Sequence, residues 1–243
     1  MALRAAVMAL LVTAVASAVE CAPVAGAVPE LGHVDAQVRL RFIRDRLRTQ
    51  SRKTRIWAFT WTGLYSAVMV YNLASLNPSD RDNLIDNGVG AGASLVGVLS
   101  VALVPPKLIG DQFWLERRLK HAPPGTDVCA LLAEAEALLV RDAKSAAFGK
   151  SALVHAGNFV FNMGVGILLG TVFGHWKQAA LQAGAGIAVG EVMILSQPAE
   201  IVRDLQRYRA ANLGLPPKWN PVTWTVAPQL SLNYAGIAVG AAF

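Results

Sequence analysis

Four long apolar segments in two neighbouring pairs predict an all-α membrane protein with two tandem transmembrane helical hairpins for this 243-residue chain. Three observations carry that expectation. Residues 57–76, 87–104 and 151–173 contain no Asp, Glu, Lys or Arg, and residues 178–198 contain only Glu191. Charged residues make up 16% of the chain against roughly 25% in soluble domains, and they gather between the apolar segments. Small residues recur inside the segments, as at Gly88 and Gly92, a spacing that lets helix backbones approach closely in lipid.

The chain opens as a secretory signal peptide over 1–18. Arg4 supplies the positive start, 5–15 the apolar run, and Ala16-Ser17-Ala18 the small-residue cleavage site. Residues 5–19 are too few to cross hydrocarbon at 1.5 Å each, which argues against an uncleaved anchor. Residues 19–33, rich in Pro, Ala and Gly, read as irregular. Export would permit a disulfide between Cys21 and Cys129, with two unpaired thiols as the alternative. Glu20 stands where a lipid-modified Cys21 would need a small residue, so that modification is not expected.

The rest of the helical chain divides into two units, 34–121 and 127–211. In the first, Ala36, Leu40, Ile43 and Leu47 fall at helical spacing. Arg39, Arg41, Arg44, Arg46, Arg48, Arg52, Lys53 and Arg55 make this a basic amphipathic helix suited to anionic lipid headgroups. A solvated helix docked on the rest of the protein fits the same pattern. A hairpin over 57–104 follows, with Trp57, Trp61 and Tyr71 toward the ends of its first helix as an aromatic belt. Asn77-Pro78-Ser79-Asp80 forms its turn, and Pro105-Pro106 stops its second helix. Residues 107–121 read as an amphipathic helix, and 123–125 as a loop.

In the second unit Asp127 caps a helix over 128–148, and a hairpin over 151–198 turns at Gly174-His175. A short amphipathic helix over 199–211 closes it. The two units read as an internal repeat. Gly63, Tyr65 and Met69 correspond to Gly157, Phe159 and Met163, and Gly90-Ala91-Gly92 to Gly184-Ala185-Gly186. Pro105 and Asp111 correspond to Pro198 and Asp204. Each unit would cross an even number of times, so the repeats are parallel. The tail, 215–243, alternates in a strand-like manner and reads as a short β-hairpin on the helical part.

Both hairpins would leave the basic stretches on one side of the bilayer. The positive-inside rule makes that side cytoplasmic, whereas a cleaved signal peptide makes it external. The cleavage motif is the more local signal, so export is the expectation.

Chemistry-bearing residues are few. His155, Asn158 and Asn162 form one polar stripe on a helix, and Glu191 is the acid on its partner. Ionisable groups at membrane depth mark proton or ion pathways, and they also serve as hydrogen-bond glue between helices. Glu191 lies seven residues before Pro198, near the interface, which favours glue. No phosphate-cradling loop, nucleophile–base constellation or metal-ligand spacing is present in the sequence. The reading therefore names no catalytic residue, cofactor or metal, and no nucleic-acid partner. It expects a non-enzymatic integral membrane protein of the cell envelope, a self-associating scaffold or membrane-surface binder. A small channel, pore or proton-coupled carrier using Glu191 and His155 is the second reading. An exported soluble protein with a buried apolar core is the third.

Overall fold

A computed structural model describes residues 19–103, 107–214, 223–231 and 234–242, with residues 103, 223–231 and 234–242 described by backbone alone. The signal-peptide reading of 1–18 and the Pro105-Pro106 stop lie outside the described residues. The chain divides into two units, Met1–Asn212 and Leu213–Phe243.

Among its described residues the first unit is helical. Helix α1 spans Ala36–Ala74, α2 Arg81–Leu103, α3 Lys107–Lys120 and α4 Val128–Gly149. Helix α5 spans Ala152–Ile167, α6 Trp176–Ser196 and α7 Glu200–Arg209. In the second unit strand β1, Thr223–Ser231, pairs antiparallel with β2, Tyr234–Ala242, with Thr223 opposite Ala242 and Ser231 opposite Tyr234.

Local chemistry sets the helix starts. Asp35 accepts from the backbone N–H groups of Gln37 and Val38, and Asp127 accepts from that of Cys129, satisfying donors that a first turn leaves unpaired. Asp80 does the same for Asp82 and Asn83 at α2. Glycine in the left-handed region, at φ 78°, lets the chain reverse at Gly174 between α5 and α6. A π-helical turn over Leu168–Val172 widens the end of α5 just before that reversal.

The N-terminal half of α1 packs with α3, α4 and α7 into a small bundle. Leu40, Ile43 and Leu47 of α1, Leu115 of α3, Leu132 and Leu139 of α4, and Ile201 and Tyr208 of α7 are buried there. The apolar stripe of α1 is thus covered by protein, not by headgroups, and the docked-helix alternative describes it. Arg39, placed by the sequence among the lipid contacts, is also buried. It donates to Tyr208, to Glu136 and to the carbonyls of Cys21 and Ala22, so it has no access to a headgroup.

Cys21 and Cys129 form a disulfide, with Cα atoms 5.5 Å apart. Together with Arg39 it pins the segment before α1 onto the bundle, where Val28 N–H also donates to the carbonyl of Arg209. Further ion pairs knit the bundle, two of them with buried aspartates. Arg141 of α4 meets Asp111 of α3, and Arg46 of α1 lies 3.9 Å from Asp204 of α7, whose other oxygen accepts from Gln50.

Below the bundle, the C-terminal half of α1 packs on α2, and α5 packs on α6. Nothing breaks α1 at the boundary. Residues 55–57, Arg-Ile-Trp, carry neither Gly nor Pro, so the amphipathic and apolar halves form one helix. On the other side Lys150 and Ser151 separate α4 from α5.

Three stretches among the described residues are long and apolar enough to cross a membrane. They lie in Arg81–Lys120, Ala152–Val172 and Trp176–Arg209. The sequence reading expected four. The apolar half of α1 is not among the three, because Trp, Tyr, Thr and Asn side chains (Thr60, Thr62, Tyr65, Tyr71, Asn72) dilute its hydropathy. Only 20%, 17% and 22% of the three apolar windows are buried, so these helices are not a core.

Candidate functional site

Helices α5 and α6 bring together all four residues of the expected polar site. His155, Asn158 and Asn162 stand on the face of α5 that meets α6, as their spacing requires. Nδ1 of His155 lies 2.6 Å from Oε2 of Glu191, and Asn158 Nδ2 donates to Oε1 of the same carboxylate at 2.9 Å. Asn158 also donates to the Ile187 carbonyl at 3.1 Å. Asn162 donates to the side chain of Asn158 at 2.8 Å and to its backbone carbonyl at 2.9 Å. The four side chains form one chain of hydrogen bonds along the helix pair.

Glycine makes the site possible. A Cβ on Gly190 would overlap the Asn158 amide, and one on Gly186 would overlap that of Asn162. The two glycines, four apart on α6, are notches into which the asparagines drop. Both oxygens of Glu191 are satisfied, and its side chain is one-third exposed. Glu191 lies five residues before the end of α6, and His155 in the first turn of α5, so the pair sits near the bundle end of the hairpin. Chemically the arrangement can bind two helices together, or hold a proton between imidazole and carboxylate.

A second polar tie, which the sequence reading missed, joins the two hairpins at their far end. His175, in the α5–α6 turn, places Nδ1 2.6 Å from Asp86 and Nε2 3.3 Å from Asp82, both on α2. Gln182 donates to the Asp86 backbone carbonyl beside them. Two carboxylates facing both ring nitrogens favour the imidazolium. The hydrogen bond to Asp86 leads, with Asp82 adding to it, in raising the pKa of His175 above its ordinary value. Asp82 and Asp86, four apart on one helix face, were the available sequence signal, but nothing in the sequence joined them to a residue nearly ninety positions away.

At the bundle end, Trp57 and Trp61 of α1 donate to Ser196 Oγ of α6 at 3.3 and 3.1 Å. These tryptophans, expected as interfacial anchors, also hold one hairpin against the other. The remaining basic residues of α1 divide by partner. Arg44 is bound to Glu116, Lys53 to Glu200, and the Arg55 guanidinium lies 5.3 Å from the Phe113 ring centre. Arg41, Arg48 and Arg52 stand exposed on the same helix. Among the described residues no cluster of three or more His, Cys, Asp or Glu suits a metal ion.

The fold and these sites define a class: a disulfide-closed helical bundle continuous with two apolar helical hairpins. Comparison with protein-family models, with curated proteins and with solved structures finds no match to this chain.

Proposed function

We propose that this chain is a non-enzymatic integral membrane protein of the cell envelope, a scaffold with its bundle on the exported face and both hairpins in the bilayer. The observation that carries it is the exposure of the hairpins. Leu153, Val160, Val172, Leu181, Val192 and Leu195 each leave more than half of their surface uncovered. A water-soluble protein with a buried apolar core would not leave them so. The apolar half of α1 completes four crossings in this reading: Phe59, Val70 and Tyr71 are exposed, and α1 packs along α2 over that half.

The disulfide supports the exported side, since such bonds persist in oxidising compartments. The basic bias of residues 39–55, close to the apolar half of α1, opposes this side. The crossed ion pairs support a duplicated origin. Asp111 of the first repeat, 34–121, serves Arg141 of the second, 127–211, and Asp204 of the second serves Arg46 of the first. Arg52, Lys53 and Arg55 adjoin the apolar half of α1 and are placed to meet anionic headgroups. Unpacked glycines such as Gly157 and Gly184 are suited to self-association, and the tail forms a short hairpin of its own.

Alkaline carbonate extraction tests the membrane assignment: the chain stays in the pellet, and its release to the supernatant would remove this reading. Protease added to intact cells then cuts the exposed Pro123-Pro124-Gly125 loop; protection of that loop would put the bundle inside. The His155–Glu191 pair favours a second reading, a proton-coupled carrier. Proton flux into reconstituted vesicles that Glu191→Gln abolishes, with insertion intact, would establish it over the scaffold.

A further inference from the structure

An open groove of about 600 Å³ lies between α1 and α3, lined by Arg44, Phe113, Glu116, Arg117, Lys120 and His121. Arg117 and Lys120 are exposed, and neither has an acidic partner among the described residues. Arg44 is the third cation. Glu116 grips it on two sides, Nε to Oε1 at 2.9 Å and an Nη to Oε2 at 2.9 Å. The carboxylate of Glu116 thus fills the fork of Arg44 as an oxyanion ligand would. Arg48 continues the exposed cationic line along α1, four residues on from Arg44.

Height separates this groove from the lipid contact. At 1.5 Å per residue, Arg44 stands about 20 Å along α1 from Trp57, where the apolar half begins. The headgroup layer is only about 5–8 Å deep on each face, so phosphates of the bilayer do not reach Arg44; the Phe113 wall, beside Arg55, is the part of the groove nearest that layer. This step alone rests on the membrane reading. What remains for three cations clustered above that layer is an anion arriving from the water.

We propose that the groove binds a phosphate-bearing polyanion from the aqueous phase, its phosphates taken by Arg117, Lys120 and the Arg44 fork, displacing Glu116. A chain is favoured over a single small anion because the cations continue from the groove to Arg48 rather than converging on one point. Glu116 then acts as an internal competitor, so removing this acid raises affinity while removing a base lowers it.

The test uses the full chain in detergent and long-chain inorganic polyphosphate as the probe, followed by fluorescence anisotropy at low and moderate salt. Wild type binds, and added salt weakens binding. Arg117→Ala with Lys120→Ala weakens it by ~10-fold or more, from two lost charge-assisted contacts. Glu116→Gln tightens it by roughly 2- to 5-fold, since it frees Arg44 from a partly exposed pair. No binding, unchanged affinity in both variants, or weaker binding in Glu116→Gln would overturn the proposal. So would equal or tighter binding of polygalacturonate, which would remove the phosphate assignment. If the double variant instead lost only binding to anionic vesicles, the groove would belong to lipid. Carbonate release of the chain, with polyphosphate binding intact, would sink the membrane reading and leave the groove standing.

Discussion

Asp142 is fully buried on α4, and neither of its carboxylate oxygens receives a donor among the described residues. Burial first, and the neighbouring Asp111 second, push its pKa from 3.8 up to about 8. At neutral pH it is a carboxylic acid, itself able to donate. The unfolded chain gives up that proton from 3.8 upward while the folded chain keeps it to about 8, so this residue lowers stability progressively across that window. Asp142→Asn is expected to flatten the pH dependence there and to raise Tm above pH 8; a gain of ~1 kcal/mol corresponds to about 2–4 °C. Thermal unfolding in detergent at pH 5, 7 and 9 measures it. Arg39 is the opposite case, a buried cation with every contact made. Arg39→Ala leaves Glu136 buried with no cation and only the Tyr208 hydroxyl donating to it, and should cost ~3–5 kcal/mol, read as lost folded yield or lowered Tm. Neither role was visible in the sequence. Arg39 differs from Arg41 only by which side of the helix it occupies, and Asp142 belongs to an ordinary Arg141-Asp142 pair.

At the scale of the helix pair, the hairpins answer to their glycines and their far clasp. Gly190→Leu would drive a side chain into Asn158, and overpacking of that kind costs ~1–3 kcal/mol. The expected result is weakened α5–α6 pairing, seen as increased hydrogen exchange through both helices. The His175 clasp carries a pH signature of its own. Its folded pKa lies above the ordinary 6.5, so its stabilisation is fully present below that value and is lost as pH rises through the raised folded value. Hydrogen exchange at the 77–86 and 174–180 turns, corrected for intrinsic rates, should rise on going from pH 6 to pH 9. His175→Gln should make those turns equally open at both. The stripe of His155, Asn158 and Asn162 and its partner Glu191 were readable in advance, because helical periodicity fixes a face and one isolated acid has few places to go. The clasp was not, because periodicity says nothing about which helix a face will meet. The fate of the α1 stripe escaped the sequence for a related reason: Leu40, Ile43 and Leu47 would pack equally well against lipid or protein.

For the whole molecule, the disulfide joins residues 108 positions apart and so ties the front of the chain to α4. In the chain-entropy picture a loop near that length constrains the unfolded state by ~4.7 kcal/mol. Unfolding with and without a reductant should show a large loss for the bundle, followed by the exposed Trp114, and a small one for the α5–α6 hairpin, which lies outside the loop that the bond closes. The apolar segments and their turn at Asn77–Asp80 followed from composition, whereas the division into three strongly apolar stretches and a more aromatic fourth follows from which residues interrupt each one.

Helix α1 is 39 residues long without a joint, about 58 Å at the usual rise. With its lower half in lipid, as proposed, any change in bilayer thickness that leans that half must lean the upper half too. A lean of about 10° displaces the far tip of a 30 Å arm by about 5 Å. The neighbouring route through Lys150 and Ser151 has a break at the same level and can bend instead of following. The molecule is therefore built like a pointer with one stiff leg and one jointed leg, and the thickness of its surroundings is converted into the attitude of the part that faces the water.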